Sequence, residues 1–386
     1  MKTVHVAAVS ATFALCFLCI GRIAPAAPER AQESTNDTGK VTIDADGTIH
    51  LPAMTVPPSS FASEEARKNF MDFARGFASL NEQTNEDVRS DDIIADRKRL
   101  DDLLMRPGLE KLRAAFPVTI HPEMIGGVQT DVVEPARGVA KNNISRVLIN
   151  LHGGGFMVGA RLGGQMESVP IASLGAIKVV TVDYREAPEH RFPAASEDVA
   201  AVYQELLKTY RANRIGIYGC SAGGTLTAQS VAWFQAHRLP RPGAIGIFGA
   251  GGTVIGGGDS DYLGQAIGGW GMSYPVPVPN ATEKVNPYLD VPGLSLQDPL
   301  VSPAHHPSVL ALFPPSLLIS GTRDAALSST IHTHAQLVKA GVRADLHVWE
   351  GTPHCSFAQP VVDPNEPESR EAWSVIVKFF AANLGR

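Results

Sequence analysis

Short apolar runs alternate with segments of helical periodicity from residue 118 to the C-terminus. Eight runs have the length and composition of β-strands, and they cover residues 118–120, 128–133, 146–151, 177–183, 214–218, 244–248, 316–320 and 345–349. Amphipathic segments predict helices at residues 197–210, 222–237, 328–340 and 369–384. Because the later strands are continuous apolar runs, the pattern predicts a doubly wound α/β domain, with a mostly parallel sheet covered by helices on both faces.

The N-terminus has a different pattern. Lys2 is followed by an apolar stretch at 4–20 and by a small-residue segment at 24–26. This arrangement is typical of a secretory signal peptide, and the apolar stretch is short for a membrane span. We therefore expect a signal peptide at 1–26, a secreted or periplasmic protein that begins near Ala27, and no stable membrane insertion. An uncleaved anchor is the alternative.

Two segments are expected to lie over the sheet. Residues 27–60 are polar and indicate a loosely held arm. Residues 61–115 predict N-terminal helices that form either a cap or an ordinary packing layer, with apolar positions at Phe70, Met71, Phe73, Phe77 and Leu80. The Gly- and Pro-rich residues 251–307 fall between two strands, where an insertion can complete a lid.

Composition narrows the class of protein. Of the 386 residues, 44% are hydrophobic and 19% charged, which indicates a globular protein with a sizeable core. The formal net charge of −6, without a basic block, argues against a nucleic-acid partner. Cleavage after residue 26 leaves only Cys220 and Cys355, which do not make a disulfide framework, so stability is expected to come from the core. The oligomeric state stays open, with a homodimer as one option.

A serine stands between a predicted strand and a predicted helix. The motif Gly-Cys-Ser-Ala-Gly-Gly at 219–224 follows the apolar run at 214–218 and precedes the helix at 222–237. A serine on such a strand-to-helix turn exposes its hydroxyl as a nucleophile, and the surrounding small residues allow the sharp turn. Ser221 is therefore the predicted nucleophile.

Serine needs a base at neutral pH, and the chain has 12 histidines. His332 and His334 lie on a predicted helix, His305 and His306 in the insertion, and His347 within a strand. His354 instead follows the last strand, in a loop at the same sheet edge as the nucleophile turn. His354 is therefore the predicted base.

The base needs a carboxylate that orients it. Asp324 follows the apolar strand at 316–320, which breaks at Gly321. Asp290 and Asp298 lie in the insertion, and Asp345 opens its strand at the wrong end. Asp324 is the predicted carboxylate, and the order Ser221, Asp324, His354 is the one found in α/β-hydrolases.

A glycine-rich loop supplies candidate donors for a negatively charged transition state. His-Gly-Gly-Gly-Phe at 152–156 follows the strand at 146–151. Glycine permits unusual backbone dihedrals and a close approach to a substrate. Together with the N–H of Ala222, this loop predicts an oxyanion hole, and the whole set of residues indicates acyl transfer.

Three motifs together resemble the hormone-sensitive-lipase-like family of α/β-hydrolase carboxylesterases, in particular its bacterial branch. They are residues 152–156, residues 219–224 and the stretch Asp-Tyr-Arg-Glu-Ala-Pro-Glu at 183–189. The resemblance implies that Gly154 and Gly155 bind the oxyanion. It also implies an α/β-hydrolase catalytic domain at 116–386, with a helical cap built from 61–115 and from an insertion at about 251–307.

The chain departs from the pattern of that family at three positions. Cys220 stands where Asp or Thr is usual, Ala325 where Pro is usual, and Cys355 where Gly is common. All three flank predicted catalytic residues, so they leave the triad intact and bear on the geometry of the pocket.

The sequence therefore predicts a serine carboxylesterase that acts on small esters of short to medium acyl chains and needs no metal or organic cofactor. An amidase or peptidase that uses the same triad is one alternative. A non-catalytic ligand-binding protein on the same fold is another, although His354 argues against it.

Overall fold

The computed structural model describes residues 39–83, 93–254, 257–268, 286–359 and 363–385. The predicted signal peptide at 1–26 lies outside the described residues. So do the first part of the predicted arm and two parts of the predicted insertion, at 255–256 and 269–285.

Ten strands form two sheets in the described part of the chain. The strands are β1 Thr42–Ile43, β2 Ile49–His50, β3 Val118–Ile125, β4 Val128–Pro135, β5 Val147–Leu151, β6 Lys178–Val182, β7 Ile215–Cys220, β8 Ala244–Phe248, β9 Ser316–Arg323 and β10 Ala344–Pro353. The first two pair as a small exposed antiparallel sheet in the predicted arm. The other eight form one sheet in the order β10-β9-β8-β7-β5-β6-β4-β3, and only the pairings of β4 with β3 and β6 are antiparallel.

Helices lie before, between and after the strands of the large sheet. The α-helices are α1 Glu64–Gln83, α2 Ile93–Leu100, α3 Arg106–Ala115, α4 Leu162–Gly175, α5 Ala194–Leu206, α6 Ala222–Ala236, α7 Asp259–Ile267, α8 Pro307–Leu310, α9 Leu327–Lys339 and α10 Pro367–Asn383. A short π-helical turn, Asp101–Met105, joins α2 to α3. Two hydrophobic clusters, one on each face of the sheet, form the core, as the continuous apolar strands predict.

The order of the strands places two loops side by side. β5 pairs with β6 on one side and with β7 on the other, so the chain reverses its direction of progress across the sheet at β5. Loops that leave the carboxyl ends of strands at such a switch point diverge and leave a crevice. Leu151 at the end of β5 lies opposite Gly219 in β7, and the glycine loop therefore starts beside the nucleophile turn.

Some boundaries differ from the sequence prediction for identifiable reasons. The helix α4 was not predicted, because three glycines and Pro170 lower its intrinsic helix propensity, and burial against the sheet compensates for this. β10 continues to Pro353, well past residue 349, so the predicted loop histidine follows the strand directly. The insertion at 251–307 contains the helix α7, although its composition indicated little regular structure.

The N-terminal helix α1 is fastened to the edge of the sheet that carries β10. Ser63 donates through its N–H and its hydroxyl to the two carboxylate oxygens of Glu368, both at 2.7 Å. The amide of Asn69 donates to Glu366 at 2.8 Å, and the guanidinium of Arg323 lies 4.8 Å from the centre of the Phe70 ring. The segment that carries the predicted catalytic aspartate is thus in contact with α1.

Among the described helices, none combines the length and the apolar character needed to cross a bilayer.

Candidate active site

Ser221 occupies a sharp turn between β7 and α6. Its φ is +58°, in the region that L-residues other than glycine rarely adopt, and its N–H donates to the carbonyl of Phe248 at 2.8 Å. A methyl group on Gly223 would overlap the carbonyl of Leu151. The turn can therefore form against β5 only because the second residue after the serine is a glycine, and this explains the small residues of the motif.

His354 lies directly beyond β10 and contacts Ser221. Its Nε2 is 2.9 Å from the Ser221 hydroxyl oxygen, and its Nδ1 is 2.7 Å from Oδ1 of Asp324. An ionised carboxylate only accepts hydrogen bonds, so Nδ1 carries the proton and donates it to Asp324. Nε2 is then free of hydrogen and accepts from the Ser221 hydroxyl, the arrangement that a general base requires.

Asp324 is completely buried at the end of β9. Besides the bond from His354, Oδ1 accepts from the N–H of Ala326 at 2.8 Å, and Oδ2 accepts from the hydroxyl of Ser320 at 3.0 Å. These donors satisfy a charge that would otherwise be costly to bury. The structure thus brings together the three side chains that the sequence singled out.

Neighbouring charges shift the pKa values of both Asp324 and His354. Burial raises the pKa of Asp324, but the adjacent His354 and the donated hydrogen bonds outweigh it, so the pKa lies below its ordinary value. Burial lowers the pKa of His354, but the charge of Asp324 and its hydrogen bond outweigh burial, so this pKa lies above its ordinary value. Each partner thus favours the charged form of the other.

The glycine loop after β5 lies against the nucleophile turn. Gly154 has φ +113° and Gly155 has φ +63°, and a methyl group on Gly154 would overlap the carbonyl of Val158. Within the described part of the chain, the N–H groups of Gly154, Gly155 and Ala222 donate to no other residue. These three donors, which the sequence analysis assigned to the oxyanion hole, are therefore available to a ligand beside Ser221.

Glu167 on α4 holds the start of this loop. Its carboxyl oxygens accept from the N–H of Gly153 and from the side-chain amide of Asn150, both at 2.9 Å. Burial raises the pKa of Glu167 to about 7. Glu167 was not among the predicted site residues, because the glycines and the proline of α4 do not indicate a helix at this place in the sequence.

The first residue of the loop motif has a structural role. The ring of His152 stacks on that of Tyr184 with centroids 4.2 Å apart, and the Tyr184 hydroxyl donates to the His152 carbonyl at 2.7 Å. Burial lowers the pKa of His152 to about 4, so the ring is neutral near pH 7. Nδ1 of His152 lies 2.7 Å from the carbonyl of Gly153. His152 and Tyr184 thus pack together and hold the start of the glycine loop. The motif around Tyr184 at 183–189 is the sequence signal that could have indicated this structural role.

The expectation for the two cysteines was wrong. Cys220 and Cys355 form a disulfide, with Cα atoms 6.3 Å apart. Two cysteines do not make a disulfide framework, so stability was expected to come from the core. The bridge links positions that are 135 residues apart in the chain. Stability therefore does not come from the core alone.

The other histidines and aspartates that the sequence raised lie elsewhere. Oδ1 of Asp298 accepts from the N–H of Leu300 at 2.8 Å, and Asp290 faces Arg191. The ring of His305 is tilted against that of His332, with centroids 5.7 Å apart, and the ring of His347 stacks on that of Trp349. The contacts that the structure gives for these side chains are with residues other than Ser221 and His354. Across the described ranges, no group of three or more His, Cys, Asp or Glu side chains could hold a metal ion.

Comparison with known proteins identifies the class. A family model described as the α/β-hydrolase fold matches residues 148–358, which is more than half of the chain. The chain therefore belongs to the α/β-hydrolase family, and the predicted fold class is confirmed.

Solved structures and sequence relatives agree with this class. The crystal structure of esterase E25 has a TM-score of 0.69 at 30% identity and covers 87% of this chain and 99% of that one. An esterase from the bacterial hormone-sensitive lipase family has a TM-score of 0.65 and covers 84% of this chain and 99% of that one. Its identity is 23%, so this likeness concerns the fold.

Two proteins with similar sequences are named as hydrolytic enzymes. An esterase of Acinetobacter venetianus is 32% identical over 147 residues, which are 36% of this chain and 47% of that protein. An acetyl-hydrolase of Streptomyces hygroscopicus is 26% identical over 263 residues, which are 68% of this chain and 82% of that protein. The matched part spans about half the length of the Acinetobacter relative.

The raised pKa of His354 predicts the pH dependence of any reaction that uses it as a base. The neutral imidazole is the active form, so activity is absent at low pH and rises as the pH passes the pKa. We expect the acid limb of kcat/KM for p-nitrophenyl acetate to have its midpoint above the ordinary histidine value of 6.5. A midpoint at or below that value contradicts the ion pair with Asp324.

A matched pair of variants tests the carboxylate in the same assay. Asp324→Asn removes the charge and should lower kcat by roughly 10⁴-fold, as in the comparable serine-protease case. Asp298→Asn makes the same chemical change at a residue whose side chain accepts from the nearby N–H of Leu300, and its kcat should stay close to that of the wild type. Equal losses in the two variants would show that Asp324 has no special role.

Proposed function

We propose that the chain is a serine carboxylesterase in which Ser221, His354 and Asp324 form the catalytic triad. The observation that carries this proposal is the continuous chain of hydrogen bonds from the Ser221 hydroxyl through His354 to Asp324. It lies at a strand-to-helix turn beside a glycine loop with available N–H groups. The names of the esterase and acetyl-hydrolase relatives support the same activity.

Acylation is the first half of the reaction. The Ser221 oxygen attacks the ester carbonyl carbon as its proton passes to Nε2 of His354, and Asp324 stabilises the resulting imidazolium. The N–H groups of Gly154, Gly155 and Ala222 donate to the oxyanion. Removing one such donor costs about 3 kcal/mol in comparable enzymes. The tetrahedral intermediate then collapses, and the alkoxide leaves with the proton from His354.

Deacylation repeats these steps with water. Nε2 of His354 takes a proton from a water molecule, which attacks the acyl carbon of the acyl-enzyme. The second tetrahedral intermediate uses the same three donors, and its collapse releases the carboxylic acid and restores the Ser221 hydroxyl. No step needs a metal or an organic cofactor.

The proposal includes short to medium acyl chains as substrates. The acetyl-hydrolase name of a relative supports a small acyl group. The contact of α1 with the segment of Asp324, through Arg323 and Phe70, supports a partly covered site. An acyl pocket of limited length would favour short chains, because each further methylene is worth about 0.8 kcal/mol only if it can be buried.

Secretion or residence in the periplasm belongs to the same proposal. The disulfide between Cys220 and Cys355 supports it, because such bonds persist in oxidising compartments. The apolar stretch at 4–20 and the small residues after it support an export sequence that is removed near Ala27.

Ser221→Ala tests the nucleophile. The variant should fold, because alanine is smaller and, among the described residues, the hydroxyl bonds only to His354. Hydrolysis of p-nitrophenyl acetate should fall to near background, and a fluorophosphonate probe should no longer label the protein. Ser356→Ala, one residue beyond the disulfide, serves as the matched control and should keep both the turnover and the labelling. Activity above a few per cent in Ser221→Ala contradicts the assignment.

A series of p-nitrophenyl esters tests the acyl length. We expect kcat/KM to be highest within about two to eight carbons and to decline for longer chains. Deletion of residues up to Leu104 should broaden or abolish this preference if the N-terminal helices form the cap. An unchanged profile after that deletion means that these helices do not limit the pocket, and a preference for long chains in the intact protein means that the pocket is not small.

Intact-mass measurement of exported protein tests the localisation. The mature chain should begin near Ala27, so the mass should lack residues 1–26. A mass that retains those residues supports the uncleaved anchor instead.

A further inference from the structure

The disulfide joins the immediate chain neighbours of two catalytic residues. Cys220 precedes Ser221, and Cys355 follows His354. The bridge therefore connects the turn that carries the nucleophile to the segment that carries the base, one residue from each. Both cysteines are buried, with exposed fractions of 1% and 6%.

We propose that the Cys220–Cys355 disulfide is a positioning clamp for the Ser221–His354 pair. It keeps Nε2 of His354 within hydrogen-bond reach of the Ser221 hydroxyl, and so it raises the rate of the chemical step rather than only the stability of the fold. This inference rests on the proposed esterase function, because it needs Ser221 and His354 to act together.

The sheet alone does not connect these two segments. β8 and β9 lie between β7, which ends at Cys220, and β10, which ends just before His354. β10 is an edge strand, and its pairing with β9 shifts register between Trp349 and Pro353. The backbone hydrogen bonds of the sheet therefore become irregular shortly before the catalytic histidine, and the disulfide spans the gap back to the central strand.

The end of β8 forms the surface on which the bridge and the imidazole both rest. A methyl group on Gly249 would come within 2.6 Å of Cys355 Sγ and 3.2 Å of His354 Cε1. The N–H of Gly249 donates to the carbonyl of Ile319 in β9 at 2.7 Å, which fixes this residue in the sheet. The sulfur and the imidazole thus share one close-packed support, so a movement of Cys355 is transmitted to His354.

The backbone on both sides of the bridge has unusual dihedrals. Ser221 has φ +58° and Cys355 has φ +49°, both in the left-handed region. Non-glycine residues hold such conformations only where the surroundings impose them. A covalent bond between the two turns is one such constraint, and it acts on Cys220 and Cys355, the chain neighbours of Ser221 and His354.

A purely structural bridge and a positioning clamp predict different kinetics. Any disulfide that closes a long loop stabilises the fold by restricting the unfolded chain. That effect leaves kcat unchanged at a temperature where both forms are folded. A clamp lowers kcat in the folded, opened form, because a misplacement of about 1 Å at a reacting pair can cost roughly 10²-fold.

Reduction with dithiothreitol opens the bridge without changing any side chain. The reagent gives two electrons and two protons to the S–S bond, which becomes two thiols, and the reagent closes to a cyclic disulfide. Peptide mapping of the linked Cys220 and Cys355 peptides follows the opening, and circular dichroism selects a temperature at which both forms are folded.

At that temperature we expect kcat for p-nitrophenyl acetate to fall by about 10- to 100-fold on reduction, while KM stays within about threefold. Labelling by a fluorophosphonate should slow in parallel, because it needs Ser221 activated by His354. Reoxidation should restore the linked peptide and the rate together.

Two double variants control for the reagent and for folding. Cys220→Ser with Cys355→Ser lacks the bridge, and it should show the low kcat of the reduced protein with or without dithiothreitol. Cys220→Ser with Cys355→Gly is the second variant if the first does not fold, because glycine accepts the φ of +49° at position 355. It should likewise be slow and insensitive to the reagent.

The outcomes separate the clamp from the proposed function. A folded, opened protein or a folded double variant with kcat within about twofold of the oxidised protein overturns the clamp and leaves the esterase proposal standing. Isolation of protein whose cysteines are unlinked, with a kcat equal to that of the disulfide-bonded form, overturns it as well. An oxidised protein that neither hydrolyses esters nor reacts with the fluorophosphonate rejects the proposed function itself, and the clamp with it.

Discussion

The close approach of the nucleophile turn to the end of β5 is the constraint on which the site depends. The carbonyl of Leu151 lies where side chains on Gly219 and Gly223 would otherwise stand, so only glycine allows the two strands' ends to meet. This contact sets the distance between the Ser221 hydroxyl and the glycine loop that follows Leu151. The proposed oxyanion donors and the proposed nucleophile therefore share one support.

A second set of interactions brings Asp324 and His354 to this support. Asp324 is buried and fully bonded, so its charge holds the imidazole of His354 in one tautomer and one orientation. Glu167 and Tyr184 perform the comparable task for the glycine loop, through Gly153 and His152. The reacting atoms are thus held by residues that themselves have satisfied hydrogen bonds, which is how preorganised sites avoid reorganisation during the reaction.

Local sequence patterns were enough to predict most of the fold and the main candidate residues of the site. All eight strands of the large sheet were predicted, because buried parallel strands are continuous apolar runs, and Ser221 was found from its strand–turn–helix context. The helix α4 and its Glu167 were missed, since the local composition disfavours a helix that tertiary burial stabilises. The disulfide was missed for a different reason. Cys220 and Cys355 each stood out as a departure from the family pattern, but their contact depends on how four strands are arranged, and spacing along the chain does not encode that.

The edge position of β10 has a consequence for the local stability of the site. Edge strands usually open by local fluctuations long before the central strands of a sheet, so their amides exchange with solvent early. Here Cys355, the second residue after β10, is covalently tied to Cys220, the last residue of β7, which lies in the middle of the sheet. We therefore expect His354, the proposed base, to open together with the central strands, although it follows an edge strand. The backbone amides around His354 should then exchange with solvent as slowly as those of the central strands. In this segment a covalent bond, rather than depth in the fold, provides the rigidity.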